Sequence, residues 1–208
     1  MFTDFGHELP LPTRITVSIS NFVKSNSLYM LGAIVIFSIA MSRLYKTEKG
    51  RLFLDRFSLK LPVFGILIRK VAVAKFTRTM STMLTSGVAI LEALDIVAKT
   101  SGNKVIETAL YNVRTAIAEG QTMAEPLSDT AIFPSMVCQM IAVGETTGAL
   151  DAMLEKIAQF YDEEVDQAVS NLTAMIEPVM MVFLGTVIGG LVISMYLPIF
   201  KIAGVVSG

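Results

Sequence analysis

Two stretches of this chain run longer without a charged side chain than most globular folds can accommodate. Residues 25–42, SNSLYMLGAIVIFSIAMS, hold no charge over 18 positions, and Val179–Phe200, VMMVFLGTVIGGLVISMYLPIF, hold none over 22. A helix needs about 20 predominantly apolar residues to cross the hydrocarbon core of a bilayer. The first stretch sits near that minimum and could also form a core helix buried on all sides. The second is apolar all round for too many turns to suit a soluble helix. Composition agrees: 53% of the 208 residues are hydrophobic, 17% are charged and mean hydropathy is +0.62. The expectation is a membrane protein with two spanning helices.

The basic residues orient the spans. Ten of the 17 Lys and Arg fall between Arg43 and Arg78, while only Arg14 and Lys24 precede the first stretch and only Lys201 follows the second. Excess Lys and Arg mark cytoplasmic loops, so the middle of the chain is expected in the cytoplasm and both ends on the opposite side. The basic run lies directly beside a span and carries few aromatic residues. Membrane lipid headgroups suit it better than nucleic acid.

Between the spans the apolar spacing is helical. Ile90, Leu91, Leu94 and Val97 share one face, and Gly102 offers a stop. Ile106, Ala109, Leu110, Val113 and Ile117 follow at i, i+3, i+4 spacing, between a plausible cap at Asn103 and a C-terminal Gly120. Pro126 is expected to break the short segment TMAEPLSDTAIF, and Pro134 suits the first turn of the next helix. The final amphipathic stretch presents Leu150, Met153, Leu154, Ile157, Tyr161 and Val165. No strand alternation is evident. The fold class expected is an all-α membrane protein, two transmembrane helices flanking a cytoplasmic six-helix bundle. MLTSGVAILEALDIV and VGETTGALDAMLEKIA also echo each other, each running helix, glycine-containing turn, helix.

Few residues offer chemistry. His7, the single histidine, reads as a solvated loop residue. Cys138, the single cysteine, lies in an apolar run and reads as a small buried hydrophobe. No Ser/His pair, zinc pattern or calcium-loop spacing is present, so neither a catalytic site nor a cofactor or metal is expected. From Thr79 to Pro178 there are 14 acidic residues against four basic ones. Asp162, Glu163, Glu164 and Asp166 cluster within one stretch. They read either as a solvated face or as a docking surface for a basic partner, with Asp162, Glu163 and Asp166 the candidates.

VGETTGALDAML, residues 143–154, superficially suggests an anion-binding turn. It lacks the lysine and the preceding strand of a phosphate loop. Gly144 and Gly148 are instead expected to permit a tight helix–helix turn, with Glu145 reaching a backbone N–H or a neighbouring helix and Thr147 capping the next helix. Gly87 is expected to end an earlier helix in the same way. In the second span, Gly185 and Gly189 form a G-x-x-x-G pair suited to close helix packing. Pro178 either kinks a continuous helix or marks a new start.

GETTGALDAMLEKIAQFYDEEVD followed by IEPVMMVFLGTVIGGLVISMYLPIFKI resembles the PilC/GspF family, the inner-membrane platform proteins of type IV pilus assembly and type II secretion. FTRTMSTMLTSGVAILEALDIV and FGHELPLPTR fit the same pattern, and MYLPIFKIAG leans toward the pilus branch. Family members usually carry two copies of the helical domain and three spans. By that resemblance this chain would hold the second copy and the last two spans. It would then divide into a periplasmic segment (1–24), a span (25–42), a basic cytoplasmic linker (43–68), the helical bundle (69–174), a second span (175–200) and a periplasmic tail (201–208). The resemblance implies a non-enzymatic scaffold of the bacterial inner membrane that couples a cytoplasmic assembly or retraction ATPase to insertion or extraction of pilins. Other inner-membrane assembly proteins and further copies of the chain would be its partners. The type II secretion counterpart is the alternative. A small transporter or channel subunit is the alternative of another class, although neither span carries an ionisable residue in its interior.

Overall fold

The computed structural model describes the backbone of residues 11–206 and side-chain surroundings up to residue 197; His7 lies outside the described residues. Eight helices make up the described chain, which contains no strand: α1 (Leu11–Lys46), α2 (Glu48–Lys60), α3 (Phe64–Thr85), α4 (Ile90–Thr100), α5 (Lys104–Ala118), α6 (Ala124–Asp129), α7 (Ser135–Thr147) and α8 (Leu150–Val206). They fall into two units. One comprises residues 1–42 and 172–208, the other residues 43–171.

The first unit holds both apolar stretches. α1 has 36 residues, about 54 Å at 1.5 Å per residue, and so exceeds the roughly 30 Å hydrocarbon core. Residues 11–24, expected as a separate segment, therefore belong to the same helix as residues 25–42. No residue of α1 is buried: Ile34 is 66% exposed and Phe37 is 68% exposed. In water that surface would be strongly unfavourable, and a core helix would hide it. α8 is likewise exposed along its apolar part, with Val182 at 70%. Pro178 does not mark a new start, because α8 continues through it. Two hydroxyl contacts link α1 to α8 in this unit: Thr13 Oγ1 donates to the Ser194 carbonyl at 2.7 Å, and Ser194 Oγ donates to Thr16 Oγ1 at 3.1 Å.

The second unit has a hydrophobic core. Phe76 and Met80 of α3, Leu94 of α4, Ile106 and Leu110 of α5, Leu127 of α6, Ile141 of α7 and Leu154 and Ile157 of α8 are all nearly or fully buried. Phe76 meets Phe133 edge-on, with ring centroids 4.9 Å apart, the geometry favoured by the charge distribution of aromatic rings. Local chemistry sets the helix ends. Gly87, at φ +80°, closes α3 with its own N–H on the Leu84 carbonyl and the Val88 N–H on the Met83 carbonyl, and Gly120 closes α5 in the same pattern. Asn103 opens α5, its side-chain oxygen accepting from the backbone N–H groups of Val105 and Ile106. Leu61 is extended because Pro62 follows it, which separates α2 from α3.

Two expectations are corrected here. Pro126 does not break its segment. It falls in the first turn of α6, where a missing N–H costs no intrahelical bond. Residues 43–68 are not a linker but form α2 and the start of α3, and α2 packs on α3 and α5. Asp55, 6% exposed, anchors it by accepting the Lys104 backbone N–H at 2.6 Å, at the N-terminus of α5 where negative charge is favoured.

Candidate functional site: the α3–α8 face and the α7–α8 turn

The turn that drew attention in the sequence is built by two glycines acting differently. Gly148 is left-handed at φ +72° and terminates α7. Gly144 is not in the turn. It lies inside α7, buried, where an added Cβ would stand 2.9 Å from Leu150 Cα and 3.2 Å from Met153 Cβ. Its role is to let α7 and α8 approach closely just before the chain reverses. Thr147 likewise ends α7 rather than capping α8, its hydroxyl donating to the Val143 carbonyl at 2.7 Å. Glu145, also in α7, accepts the Met123 N–H at 2.6 Å and the Ala124 N–H at 3.3 Å. It therefore caps α6 from another helix, supplying the acceptor that α6 lacks at its own N-cap.

The acidic cluster stands on the first part of α8, opposite basic residues of α3. Arg78 bridges two turns of α8, with Nη1 at 2.6 Å from Glu155 and Nη2 at 2.5 Å from Asp162. Lys70 pairs with Glu164 at 2.6 Å. The Asp162 hydrogen bond, then that of Glu155, raises the Arg78 pKa above its ordinary value. The Arg78 hydrogen bond, followed by that of Gln159, holds Glu155 below the usual carboxylate range. Asp162, a candidate docking residue, is thus engaged within the unit. Glu163 and Asp166 are exposed and form no ion pair among the described residues. A solvent-open cavity of about 400 Å³ runs beside Asp166, lined also by Lys75, Arg78, Asp162 and Val165 among others. The face is therefore of mixed charge. The acidic excess counted along the sequence is partly cancelled by the basic residues that precede it.

Cys138 is buried, and burial pushes its thiol pKa up, so the sulfur stays protonated and unreactive. No group of three His, Cys, Asp or Glu among the described residues could hold a metal ion. In the membrane-type unit, an added Cβ at Gly185 or Gly189 would meet nothing within 4 Å, so among the described residues nothing packs closely against the G-x-x-x-G pair. Hydrogen bonds at Ser194 link α1 to α8 there, and serine and threonine scattered through apolar runs gave no sign of it.

Two long, exposed apolar helices and a compact helical unit between them in sequence define an all-α membrane protein. The family described as "Type II secretion system (T2SS), protein F" matches residues 76–198, and the chain belongs to that family. It is 55% identical over 207 residues to the type IV pilus assembly protein PilC of Myxococcus xanthus and 47% identical over 208 residues to that of Thermus thermophilus, covering 100% of this chain and 50% and 51% of those proteins. It is 31% identical over 206 residues to the type II secretion system protein F of Pseudomonas aeruginosa, covering 97% of this chain and 50% of that protein. The chain spans about half the length of the curated relatives it matches.

Proposed function

We propose that this chain is part of an inner-membrane platform for type IV pilus biogenesis, a scaffold that couples a cytoplasmic assembly ATPase to movement of pilins into or out of the membrane. The observation that carries the reading is the contrast in identity over the full chain: 55% and 47% to pilus assembly relatives against 31% to a type II secretion relative. The structure is compatible with a scaffold. Its polar side chains cap helices and pair α3 with α8, and the cysteine is buried and protonated. The basic residues from Arg43 onward support a cytoplasmic location for residues 43–178 and a periplasmic one for both ends. Glu163 and Asp166, exposed beside Asp162, are the proposed contacts to the ATPase. The apolar faces of α1 and α8 are the proposed surfaces for pilin helices and for further copies of the chain.

Deletion of the gene in its own bacterium tests this. Loss of surface pili with normal secretion of exoproteins is expected; intact pili with failed exoprotein secretion would assign the chain to the type II secretion branch instead. Topology is tested by thiol labelling. Ser101→Cys should resist a membrane-impermeant reagent in intact cells and react after lysis. Labelling in intact cells would overturn the orientation.

A further inference from the structure

α2 has one buried face and one that the bundle leaves uncovered. Asp55 and Leu59 face inward, with 6% and 9% exposure, and the Asp55 bond to the Lys104 N–H fixes the rotation of the helix. On the opposite side Phe53 is 67% exposed and Phe57 is 57% exposed. Lys49, Arg56 and Lys60 are exposed too. At 100° per residue these five side chains fall within an arc of roughly 100°, and no carboxylate shares it. Val63, Phe64 and Ile66 extend the exposed apolar surface just beyond the helix.

We propose that this face of α2 lies on the membrane, its phenylalanines in the headgroup layer and its Lys and Arg side chains on anionic lipid phosphates. Three observations favour lipid over a protein partner. First, aromatic and basic residues are interleaved on one arc. That suits a surface where Lys and Arg extend their charged ends to headgroups while aromatic rings sink in. Protein interface cores, by contrast, are depleted of lysine. Second, the charge is of one sign, complementary to an anionic leaflet, where each Lys or Arg strengthens binding by about fivefold. Third, the chain itself holds α2 near a bilayer. Only Thr47 separates α2 from α1. The six peptide steps from Arg43, the first charge after the apolar run, to Lys49 reach at most about 20 Å when fully extended. Arg51 also stands over the Tyr45 ring, 5.6 Å from its centroid, an aromatic–basic pair of the kind found at membrane interfaces. The buried Asp55 bond then has a purpose beyond stability: it sets which side of α2 meets the lipid.

The experiment uses the whole chain in nanodiscs, made either of phosphatidylcholine alone or of three parts phosphatidylcholine to one part phosphatidylglycerol. A fluorescent label at Phe57→Cys is read against quenchers placed high on the lipid chains, with Glu119→Cys as an exposed control. Native Cys138 is retained because it is buried. Strong quenching at position 57, little at 119, and more with phosphatidylglycerol is expected. Lys49→Gln/Arg56→Gln/Lys60→Gln should lower the docking equilibrium by on the order of a hundredfold, while Cys138 stays inaccessible and so reports an intact bundle. Equal quenching in both lipids and in the triple variant would overturn the charge-based docking. So would a label that remains in water in every disc. Shielding that appears only with two chains per disc would assign the face to a second copy instead.

Discussion

Glu145→Ala should loosen the bundle at a site remote from the substitution in sequence. The Glu145 carboxylate holds two N–H groups of α6, one at 2.6 Å and one at 3.3 Å, and the first belongs to Met123, which is fully buried. A hydrogen bond to a charged group contributes about 1.5–3 kcal/mol, and a buried donor left without an acceptor costs about 1–3 kcal/mol. The long second bond adds little. The expected loss is therefore about 2–3 kcal/mol, a large part of the 5–15 kcal/mol typical of whole domains. Glu145→Gln keeps one acceptor oxygen for Met123 but turns an amide N–H₂ toward Ala124, so about half that loss is expected. Cys138, buried on the same helix as Glu145, supplies the assay. Its labelling at pH 7 reports openings of the core, and a loss of 2–3 kcal/mol should raise the rate roughly 30- to 150-fold. A Glu145→Ala protein that labels at the unsubstituted rate would refute the cap.

Gly144→Ala should destabilise by up to about 2 kcal/mol in thermal unfolding, because overpacking of about 1–3 kcal/mol against the α8 backbone opposes a helix-propensity gain of about 1 kcal/mol. Gly185→Ala, with nothing within 4 Å of the added carbon, should be neutral or slightly stabilising for the isolated chain. Acid should weaken the α3–α8 seam. Arg78 depresses the Glu155 carboxyl from its ordinary 4.5, so its contribution is fully present above that pH and is lost as pH falls through the lower folded value. Arg78→Met should flatten that part of the pH–stability curve measured by circular dichroism. On the proposed docking to an assembly ATPase, Asp162→Asn/Glu163→Gln/Asp166→Asn should reduce ATPase capture in a salt-sensitive way, without altering helicity. Capture unchanged by both the substitutions and high salt would move the docking surface elsewhere.

The sequence made legible what depends on neighbours a few residues away. The apolar runs announced themselves by lacking charge, and Gly87, Asn103 and Gly120 marked helix ends through chemistry that acts within one turn. What stayed hidden depends on distant partners. α2 was read as a linker because its inward face carries Gly50, Asp55 and Leu59 rather than an apolar stripe. Asp55 is acceptable there because the Lys104 N–H, 49 positions away, donates to it and Arg51 stands 3.9 Å from its carboxylate. Glu145 could be seen to need a donor, but nothing near it says that the donor is the start of α6. Gly144 illustrates a different limit. Glycine serves both a left-handed turn and a close helix approach, and only the structure separates its role from that of Gly148. The acidic excess is smaller in space than along the sequence, since Arg78 and Lys70 come from the basic stretch and settle on Glu155, Asp162 and Glu164.

The hydroxyl junction between α1 and α8 has a consequence for how the protein is made. Thr13 donates to a carbonyl 181 residues further along the chain. At roughly 5–20 residues per second, a ribosome needs about 10–35 s to synthesise that interval. For that time α1 has no α8 to pair with. Its apolar stretch, at a mean hydropathy of 1.7, suits lipid without that partner. Pairing with Ser194 comes afterwards, as the second of two stages, and interhelical hydrogen bonds in membranes average only about 0.6 kcal/mol. The junction therefore selects the register of two helices already inserted; it does not draw them into the lipid.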